Sequence, residues 1–322
     1  MKNIVVWGAD GFIGSHFVEM LLTHQYGIRV TPVVMYNSTG SIGNLRYVDG
    51  IEKLNPIFGD IRDSELVFAI NKDADLVINF AALISIPFSY VAPRSYVETN
   101  ILGTLNLLES LKRYGNRGVL LSTSEVYGTA RYVPMDEDHP VTPQSPYSAT
   151  KIAADMLARA FEYTYEIDVV MARPFNSYGP RQSTRAVIPS MIRQALRDEK
   201  IHVGNLQTTR DFTYVSDTCA GIWEVAQIGN KGSAYNIASG REIRIASILN
   251  QIIDITGCNA EVVRDDKRIR PDASEVNRLL GSSENLKSIS NWSPKVSFEE
   301  GLSRTIEFFK ENSDIFSDQQ FL

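Results

Sequence analysis

The sequence predicts an α/β protein, a doubly wound parallel sheet with a smaller C-terminal α/β lobe, on three observations. Short apolar runs without polar alternation recur at residues 2–7, Arg29–Val34, 75–80, 118–122 and 168–172, as in strands buried on both faces. Stretches of helical periodicity separate them, at 12–23, 93–114 and Pro146–Tyr165 among others. The first run ends at Gly8, with Gly11 and Gly14 close behind, so the chain opens as strand, tight turn and helix.

Taken in order, Ile4-Val5-Val6-Trp7 is too uniformly apolar for a half-exposed strand, and Phe12 begins the helix that packs on it. Residues 29–34 supply the second strand, Gly59 closes a third, and the runs at 75–80, 118–122 and 168–172 extend the sheet. After Pro174 the pattern loses regularity: a basic helix at 188–198, a short strand and turn at 201–206, a strand at Ala234–Ile237 and a helix at Ile245–Thr256. The expected division is a sheet domain of residues 1–172 with about 211–240, covered by a lobe of about 173–210 and 241–311. The short polar segment 312–322 is expected to fray.

The 322 residues are 43% hydrophobic and 22% charged, enough for a substantial core in one large or two interleaved domains. A net charge of −6 argues against a nucleic-acid binder, so any phosphate site must be built from a few placed arginines. Two cysteines, Cys219 and Cys258, stand at no metal-ligand spacing to the four histidines, and neither a disulfide framework nor a metal site is expected. No run approaches the roughly 20 apolar residues of a membrane span, and residues 2–7 lead straight into a glycine turn, unlike a secretory leader. The expectation is a cytoplasmic protein with neither membrane nor nucleic acid as partner.

Gly8-Ala9-Asp10-Gly11-Phe12-Ile13-Gly14 is a G-x-x-G-x-x-G turn between strand and helix, the setting in which a dinucleotide pyrophosphate rests on a helix N-terminus. Gly8 permits the turn, Gly11 lets backbone approach the phosphates, and Gly14 allows close helix packing, with Phe12 and Ile13 opening the helix. The same glycines would also serve a purely structural turn. With a dinucleotide there, the sheet domain is of Rossmann type. At the end of the second strand, Tyr36-Asn37-Ser38-Thr39 has no acid for a ribose 2′-hydroxyl; Asn37 and Ser38 offer neutral donors without an arginine, so NAD and NADP both fit. Asp60 and Ile61 suit contact with adenine, with helix capping as the alternative for Asp60 or Asp63. Ala81 and Ala82 end a strand with small side chains, which brings backbone close to the cofactor ribose, and Ser85 follows where it can touch a sugar or simply serve the loop.

The chemistry is concentrated in Ser122-Thr123-Ser124-Glu125-Val126-Tyr127-Gly128 and the following Tyr147-x-x-x-Lys151. Their spacing puts Tyr147 and Lys151 on one helix face, where the lysine charge can lower a phenol pKa that is normally about 10. A phenolate is a base for a sugar hydroxyl. Glu125 is a second base that plain alcohol oxidation does not need, so a C–H bond beside a new ketone is expected to break as well. A Tyr and a Lys at helical spacing also occur by chance, and the loop before them is what gives the pair its weight.

These motifs, together with Asn79-Phe80-Ala81-Ala82 and Arg173-Pro174-Phe175-Asn176-Ser177-Tyr178-Gly179-Pro180-Arg181, resemble the extended short-chain dehydrogenase/reductase superfamily, in its NAD-dependent epimerase/dehydratase branch. The resemblance runs through Asn291-Trp292-Ser293-Pro294 and Glu299-Glu300-Gly301-Leu302. Residues 82–90, 181–189 and 204–212 are similar to the nucleotide-sugar 4,6-dehydratases of the legionaminic acid pathway. It implies an NAD or NADP held through every turnover and a nucleoside-diphosphate sugar as substrate, UDP- or GDP-linked N-acetylglucosamine by the closest similarity. Tyr147 then takes the C4 hydroxyl proton as hydride leaves C4, Thr123 polarises the C4 oxygen, and Glu125 removes the C5 proton acidified by the ketone. Water leaves C6, and the stored hydride returns there. Arg181, Arg210 and Arg270 match diphosphate-contacting positions, Asn176 one on the phosphate side of the substrate.

Glucose-type dehydratases carry an Asp where this chain has Ser124, too weak an acid for the departing water. The resemblance to GDP-mannose dehydratases, which share the Thr-Ser-Glu order, implies delivery from Glu125 itself or through a water. Nucleotide-glucuronate decarboxylases also carry Ser-Thr-Ser-Glu-Val-Tyr-Gly but need a cation for the C6 carboxylate, for which Arg181 or Arg185 stands available. A 4-epimerase would leave Glu125 without a task, and a non-enzymatic dinucleotide sensor would have no use for Thr123, Tyr147 and Lys151 together. Family members pair the helices at 93–114 and 146–165 with their copies in a second subunit, which implies a homodimer.

Overall fold

A computed structural model describes residues 2–24, 27–197, 200–268 and 276–313. The first half alternates strand and helix: β1 (Asn3–Trp7), α1 (Phe12–His24), β2 (Arg29–Val34), β3 (Ile57–Phe58), α2 (Ser64–Asn71) and β4 (Leu76–Asn79). Next come α3 (Ile86–Val91), α4 (Pro93–Tyr96), α5 (Gly103–Tyr114), β5 (Arg117–Leu121), α6 (Pro146–Tyr165) and β6 (Val169–Pro174). The second half holds β7 (Asn176–Tyr178), α7 (Val187–Arg197), β8 (Lys200–Val203), β9 (Thr209–Tyr214), α8 (Val215–Ile228) and β10 (Ala234–Ile237). It closes with β11 (Glu242–Arg244), α9 (Ile245–Thr256), β12 (Glu261–Arg264), α10 (Glu284–Ile289) and α11 (Phe298–Glu311).

Seven strands form one sheet in the order β10-β6-β5-β4-β1-β2-β3, and every neighbouring pair is parallel. This is the doubly wound sheet expected from the apolar runs. Its two faces are divided by the strand period: Ile4, Val6 and Ile78 pack into one core, while Val5, Trp7 and Val77 pack into the other. The strand order reverses direction between β1 and β4, which opens a crevice at their carboxyl ends.

Beyond β6 the chain builds a second layer. Strands β7, β9 and β11 make a three-stranded sheet, β8 pairs with β12, and α8 and β10 rejoin the large sheet between them. Ile192 of α7, Ile248 of α9 and Ile306 of α11 belong to the same apolar cluster as Ile4 and Phe17, so lobe and sheet share one continuous core. Asp217 of α8 adds a polar tie, accepting from the backbone N–H groups of Lys295 and Val296 at 3.0 and 2.9 Å.

The single helix expected over 93–114 is interrupted. Residues Val97–Leu102 form a π-helical turn between α4 and α5. The widened turn buries Asn100, which accepts from the Leu83 N–H at 2.9 Å and donates to the Leu83 carbonyl and the Thr150 hydroxyl, both at 3.0 Å. One side chain thus ties the loop after β4 to α6. The short strand and turn expected over 201–206 are there: β8 stops at Val203, and Asn205 Oδ1 accepts from the Gln207 N–H in the turn that follows. Of the segment expected to fray, residues 314–322 lie outside those described. No helix among the described residues is long and apolar enough to cross a membrane.

The carboxyl end of β1 is held by a buried relay in which Trp7 Nε1 donates to Asn71 Oδ1 at 3.0 Å and Asn71 Nδ2 donates to Ser110 Oγ at 3.2 Å. Replacing Asn71 with Ala leaves the indole N–H buried without an acceptor, so N71A should lower the unfolding free energy by about 1–3 kcal/mol. Urea denaturation checks it.

Candidate active site

The crevice between β1 and β4 is shaped by glycines that no other residue could replace. Gly8 has φ +71°, and a Cβ there would lie 2.6 Å from the backbone nitrogen of Ala81. A Cβ on Gly14 would lie 2.2 Å from the Gly8 carbonyl oxygen, so α1 meets the end of β1 at backbone contact. Gly11 donates to the Gly8 carbonyl at 3.1 Å, and Phe12 and Ile13 start α1 directly behind it. The start of α1 therefore stands at backbone distance from the end of β1, and Gly8 at backbone distance from Ala81 after β4. A dinucleotide pyrophosphate fits such a cradle.

Around this cradle the other expected cofactor residues are more committed. Asn37 spends its amide within its own loop, donating to Met35 and Ser41 carbonyls and accepting from Thr39 and Ser41, while Ser38 remains exposed. Asp60 is gripped by Arg62 Nε and Nη2, and that guanidinium holds its carboxyl below the usual range. Asp63, not Asp60, caps α2 by accepting from Leu66 N–H. Ile61 is buried, with its carbonyl accepting from Asn106 Nδ2 at 3.0 Å.

At the carboxyl end of β5 the chain turns through Ser122 and Thr123 into a 3-10 turn, Ser124–Val126. Thr123 caps that turn by accepting from the Glu125 N–H at 3.2 Å, and its side chain also hydrogen-bonds with the Tyr147 hydroxyl. Ser124 is buried, whereas Glu125 is half-buried with its charge acting on Tyr147. Tyr147 and Lys151 stand in the first turns of α6, whose start is fixed by Pro146 and a Ser145–Ser148 capping box. Tyr96 packs edge-on against Tyr147, with ring centroids 6.3 Å apart, and donates its hydroxyl to the Ser85 carbonyl at 2.5 Å.

The expected lowering of the phenol by Lys151 is not what these residues produce by themselves. Burial pushes the Tyr147 phenol well up; the Thr123 hydrogen bond opposes this, and the Glu125 charge adds to it. Burial also brings the Lys151 ammonium down to about 8, with Asp155 opposing, and its Nζ donates to the Leu121 carbonyl at 2.5 Å, not to Tyr147.

The expected substrate residues divide. Asn176 opens β7 beside Pro174, and its Oδ1 is buried with no hydrogen-bond partner among the described residues. Arg210 is buried on β9, with Nη1 donating to the Thr209 carbonyl. Ser85 is the N-cap of α3, accepting from Phe88 N–H at 3.4 Å. Arg181 is partly committed: Nη2 donates to Glu19 of α1 at 2.7 Å and to the Tyr47 carbonyl at 3.0 Å, and the side chain is buried there. Its Nε and Nη1 are buried with no hydrogen-bond partner among the described residues, and the residue adopts φ +65°. Arg270 lies outside the described residues. No group of histidine, cysteine or acidic side chains able to hold a metal occurs among the described residues.

The sequence reading missed Asp155 and Arg173, a buried ion pair at 2.9 Å directly behind the reactive loop. Two signals stood in plain view. Asp155 follows Lys151 by four residues on the same helix face, and Arg173 ends an otherwise apolar buried strand, where a cation requires a partner.

A doubly wound sheet whose glycine cradle faces a Thr/Glu/Tyr/Lys cluster across one crevice defines the class: an extended short-chain dehydrogenase/reductase. The family model described as GDP-mannose 4,6 dehydratase matches residues 5–305, and the chain belongs to that family. Among its relatives, the low-salt glycan biosynthesis protein Agl12 of Haloferax volcanii is 35% identical over 95% of this chain and 98% of that protein. A dTDP-glucose 4,6-dehydratase of Streptomyces niveus is 33% identical over 96% of this chain and 93% of its own length. The crystal structure of DesIV, a dTDP-glucose 4,6-dehydratase of Streptomyces venezuelae with NAD bound, superposes with a TM-score of 0.90 at 31% identity, covering 98% of this chain and 99% of that one. Nucleotide-sugar 4-epimerases are also among the similar structures.

Lys151 carries a stability cost. Its pKa is about 8 folded against 10.5 for the free side chain, so the unfolded chain binds more protons between those values and stability rises with pH across that window. Lys151→Met should therefore be at least as stable as the parent near neutral pH, by up to roughly 3 kcal/mol, and should lose that rise. Urea denaturation at a series of pH values, parent against variant, measures the difference.

Proposed function

We propose that this chain is a nucleotide-sugar 4,6-dehydratase, a hydro-lyase using NAD or NADP that stays bound and is regenerated at each turnover. The observation that carries the reading is Glu125, held on the same short turn as Thr123 and close enough to Tyr147 for its charge to act on the phenol. Two bases around one bound sugar suit a reaction that breaks both an O–H and a C–H bond. The similarity to dTDP-glucose 4,6-dehydratases supports it.

In this reaction Tyr147 takes the proton of the C4 hydroxyl, and Thr123 donates a hydrogen bond to the oxygen as it becomes a ketone. The Lys151 ammonium is the nearby cation available to support the phenolate, since burial alone keeps the phenol protonated. A bound nicotinamide dinucleotide supplies the store for the C4 hydride until it is delivered to C6. Glu125 removes the C5 proton, then hands it to the C6 oxygen, which leaves as water, and the proton that Tyr147 took from the C4 hydroxyl returns to C5 as hydride reaches C6; Ser124 has no useful acidity of its own. The cofactor would lie on Gly8, Gly11, Phe12, Ile13 and Gly14, with Ala81, Ala82, Asn37, Ser38, Asp60, Ile61 and the Tyr147–Lys151 pair around it. Ser85 would face the sugar, and Asn176, with its unpartnered Oδ1, would join Arg181, Arg210 and Arg270 toward the diphosphate.

The similarity of residues 82–90, 181–189 and 204–212 points to N-acetylglucosamine linked to UDP or GDP. A homodimer in the cytoplasm completes the reading: Val97, Leu102, Met156 and Tyr163 are 43, 47, 40 and 88% exposed along the two helices that relatives would pair. Sedimentation of the purified protein at the mass of two chains supports that dimer, and a monomer mass overturns it.

Incubation with UDP-N-acetylglucosamine, GDP-N-acetylglucosamine, dTDP-glucose and UDP-glucuronate should yield a product lighter by one water from one of the first three. Loss of carbon dioxide from the last would establish a decarboxylase instead. Glu125→Gln should lower turnover by about 10²–10⁴-fold while hydride still leaves C4, so that reduced nicotinamide persists. Unchanged turnover would sink the role of Glu125.

A further inference from the structure

The buried Asp155–Arg173 pair is not used by any step of the proposed reaction, yet it touches both ends of the loop that carries it. Asp155 Oδ2 accepts from Arg173 Nε and Nη2 at 3.0 and 2.9 Å and from the Ser122 hydroxyl at 2.9 Å. Arg173 Nη1 donates to the Tyr127 hydroxyl at 3.0 Å, and Tyr127 in turn donates to Asn236 Oδ1 of β10 at 2.7 Å. Ser122 immediately precedes Thr123, and Tyr127 closes the turn through its N–H to the Ser124 carbonyl at 3.1 Å. Lys151 holds the residue before Ser122, Leu121, by its carbonyl. Thr123, Ser124 and Glu125 are therefore suspended between anchors on either side, and two of those anchors, Lys151 and Asp155, stand on the helix that carries Tyr147.

Side chains of this kind are costly where they sit. Asp155 is 2% and Arg173 1% exposed, and an ion pair so deeply buried contributes little net stability over apolar side chains of the same volume. What it supplies is direction: a carboxylate oxygen with three donors and a planar guanidinium admit one arrangement of their partners. We propose that the Asp155–Arg173 pair is a positioning device that clamps both ends of the Ser122–Tyr127 loop, fixing Thr123 and Glu125 relative to Tyr147. Neither residue of the pair meets the substrate in this assignment. It deepens the dehydratase reading and rests on it for the step that Glu125 performs.

The test uses Tyr127→Phe and Ser122→Ala in the full-length protein with its cofactor, because each removes one hydroxyl group and leaves the ion pair whole. Both hydroxyl groups lie behind the loop, so a clamp role predicts kcat falling by about 10- to 100-fold with KM for the nucleotide sugar and bound-cofactor content unchanged. In Tyr127→Phe the loss should fall on C5 proton removal, seen as reduced nicotinamide accumulating in the steady state. Leu302→Ala, in the buried core of α11, serves as the control for simple destabilisation and should leave kcat within about twofold. Turnover within twofold of the parent in both hydroxyl variants overturns the clamp, as does a loss of cofactor and KM together with kcat. If the unaltered protein releases no water from any nucleotide sugar, the dehydratase reading fails by itself; the clamp is then judged by the kcat-against-KM split in whatever reaction the protein does catalyse.

Discussion

All seven strands of the large sheet run the same way, and this single constraint decides where chemistry can occur. Parallel strands deliver their carboxyl ends to one edge, so the turn after β1, the small residues after β4, the reactive loop after β5 and Asn176 after β6 open onto one crevice. The order reverses between β1 and β4, and there the backbones of Gly8 and Ala81 approach so closely that a Cβ has no space. Nothing in the crevice depends on a long loop finding its place. Each functional group stands at the end of a buried strand or on the first turns of a helix packed against one, which is why a chain with a shared core through Ile4, Ile192 and Ile306 can hold reactive groups at fixed separation.

Burial sets the electrostatics of the same crevice, and it acts against the chemistry before it assists it. Taken from water, the Tyr147 phenol holds its proton more tightly and the Lys151 ammonium less tightly, the opposite of an ionised tyrosine beside a charged lysine. Asp155 counters part of this by favouring the Lys151 cation from one helical turn away. The pair is thus not pre-ionised: burial and the Glu125 charge hold the proton on the phenol, and its release needs favourable charge beyond what these residues supply by themselves. Asp211 shows the same economy without chemistry, since burial raises its carboxyl and four donors from Ser239, Gly240 and Gly281 keep it in place.

How much of this was legible in the sequence follows from the range of the interactions involved. The strands, the glycine turn and the Tyr147–Lys151 face are written in local periods of two and about 3.6 residues and could be read directly. The Val97–Leu102 π-turn could not, because its reason lies in Asn100 reaching Leu83 and Thr150, seventeen and fifty residues away. Arg181 was legible as a cation but not in its ion pair, because Glu19 lies 162 residues away on α1. Asp155 and Arg173 fall between these cases. Each is anomalous where it stands, a charge in an apolar setting, and each anomaly is resolved by the other, so searching for a partner to one buried charge would have found both.

Ser124 gives the clamp its purpose within the proposed reaction. It is buried, its carbonyl is occupied by Tyr127 N–H, and it offers no acidity, so the turn presents one carboxyl group, Glu125, to the sugar. With a second acid on the turn, one group could receive the C5 proton while another protonated the C6 oxygen, and small errors in placing either would be shared. With Glu125 alone, the same carboxyl must stand within hydrogen-bond reach of both C5 and the C6 oxygen in succession, which leaves little latitude in where the turn sits. A loop tied at Leu121, Ser122 and Tyr127 to buried charged groups, two of them on the helix of Tyr147, meets that demand in a way that a loop held by apolar packing alone would not. The simpler proton inventory and the heavier anchoring are two sides of one solution.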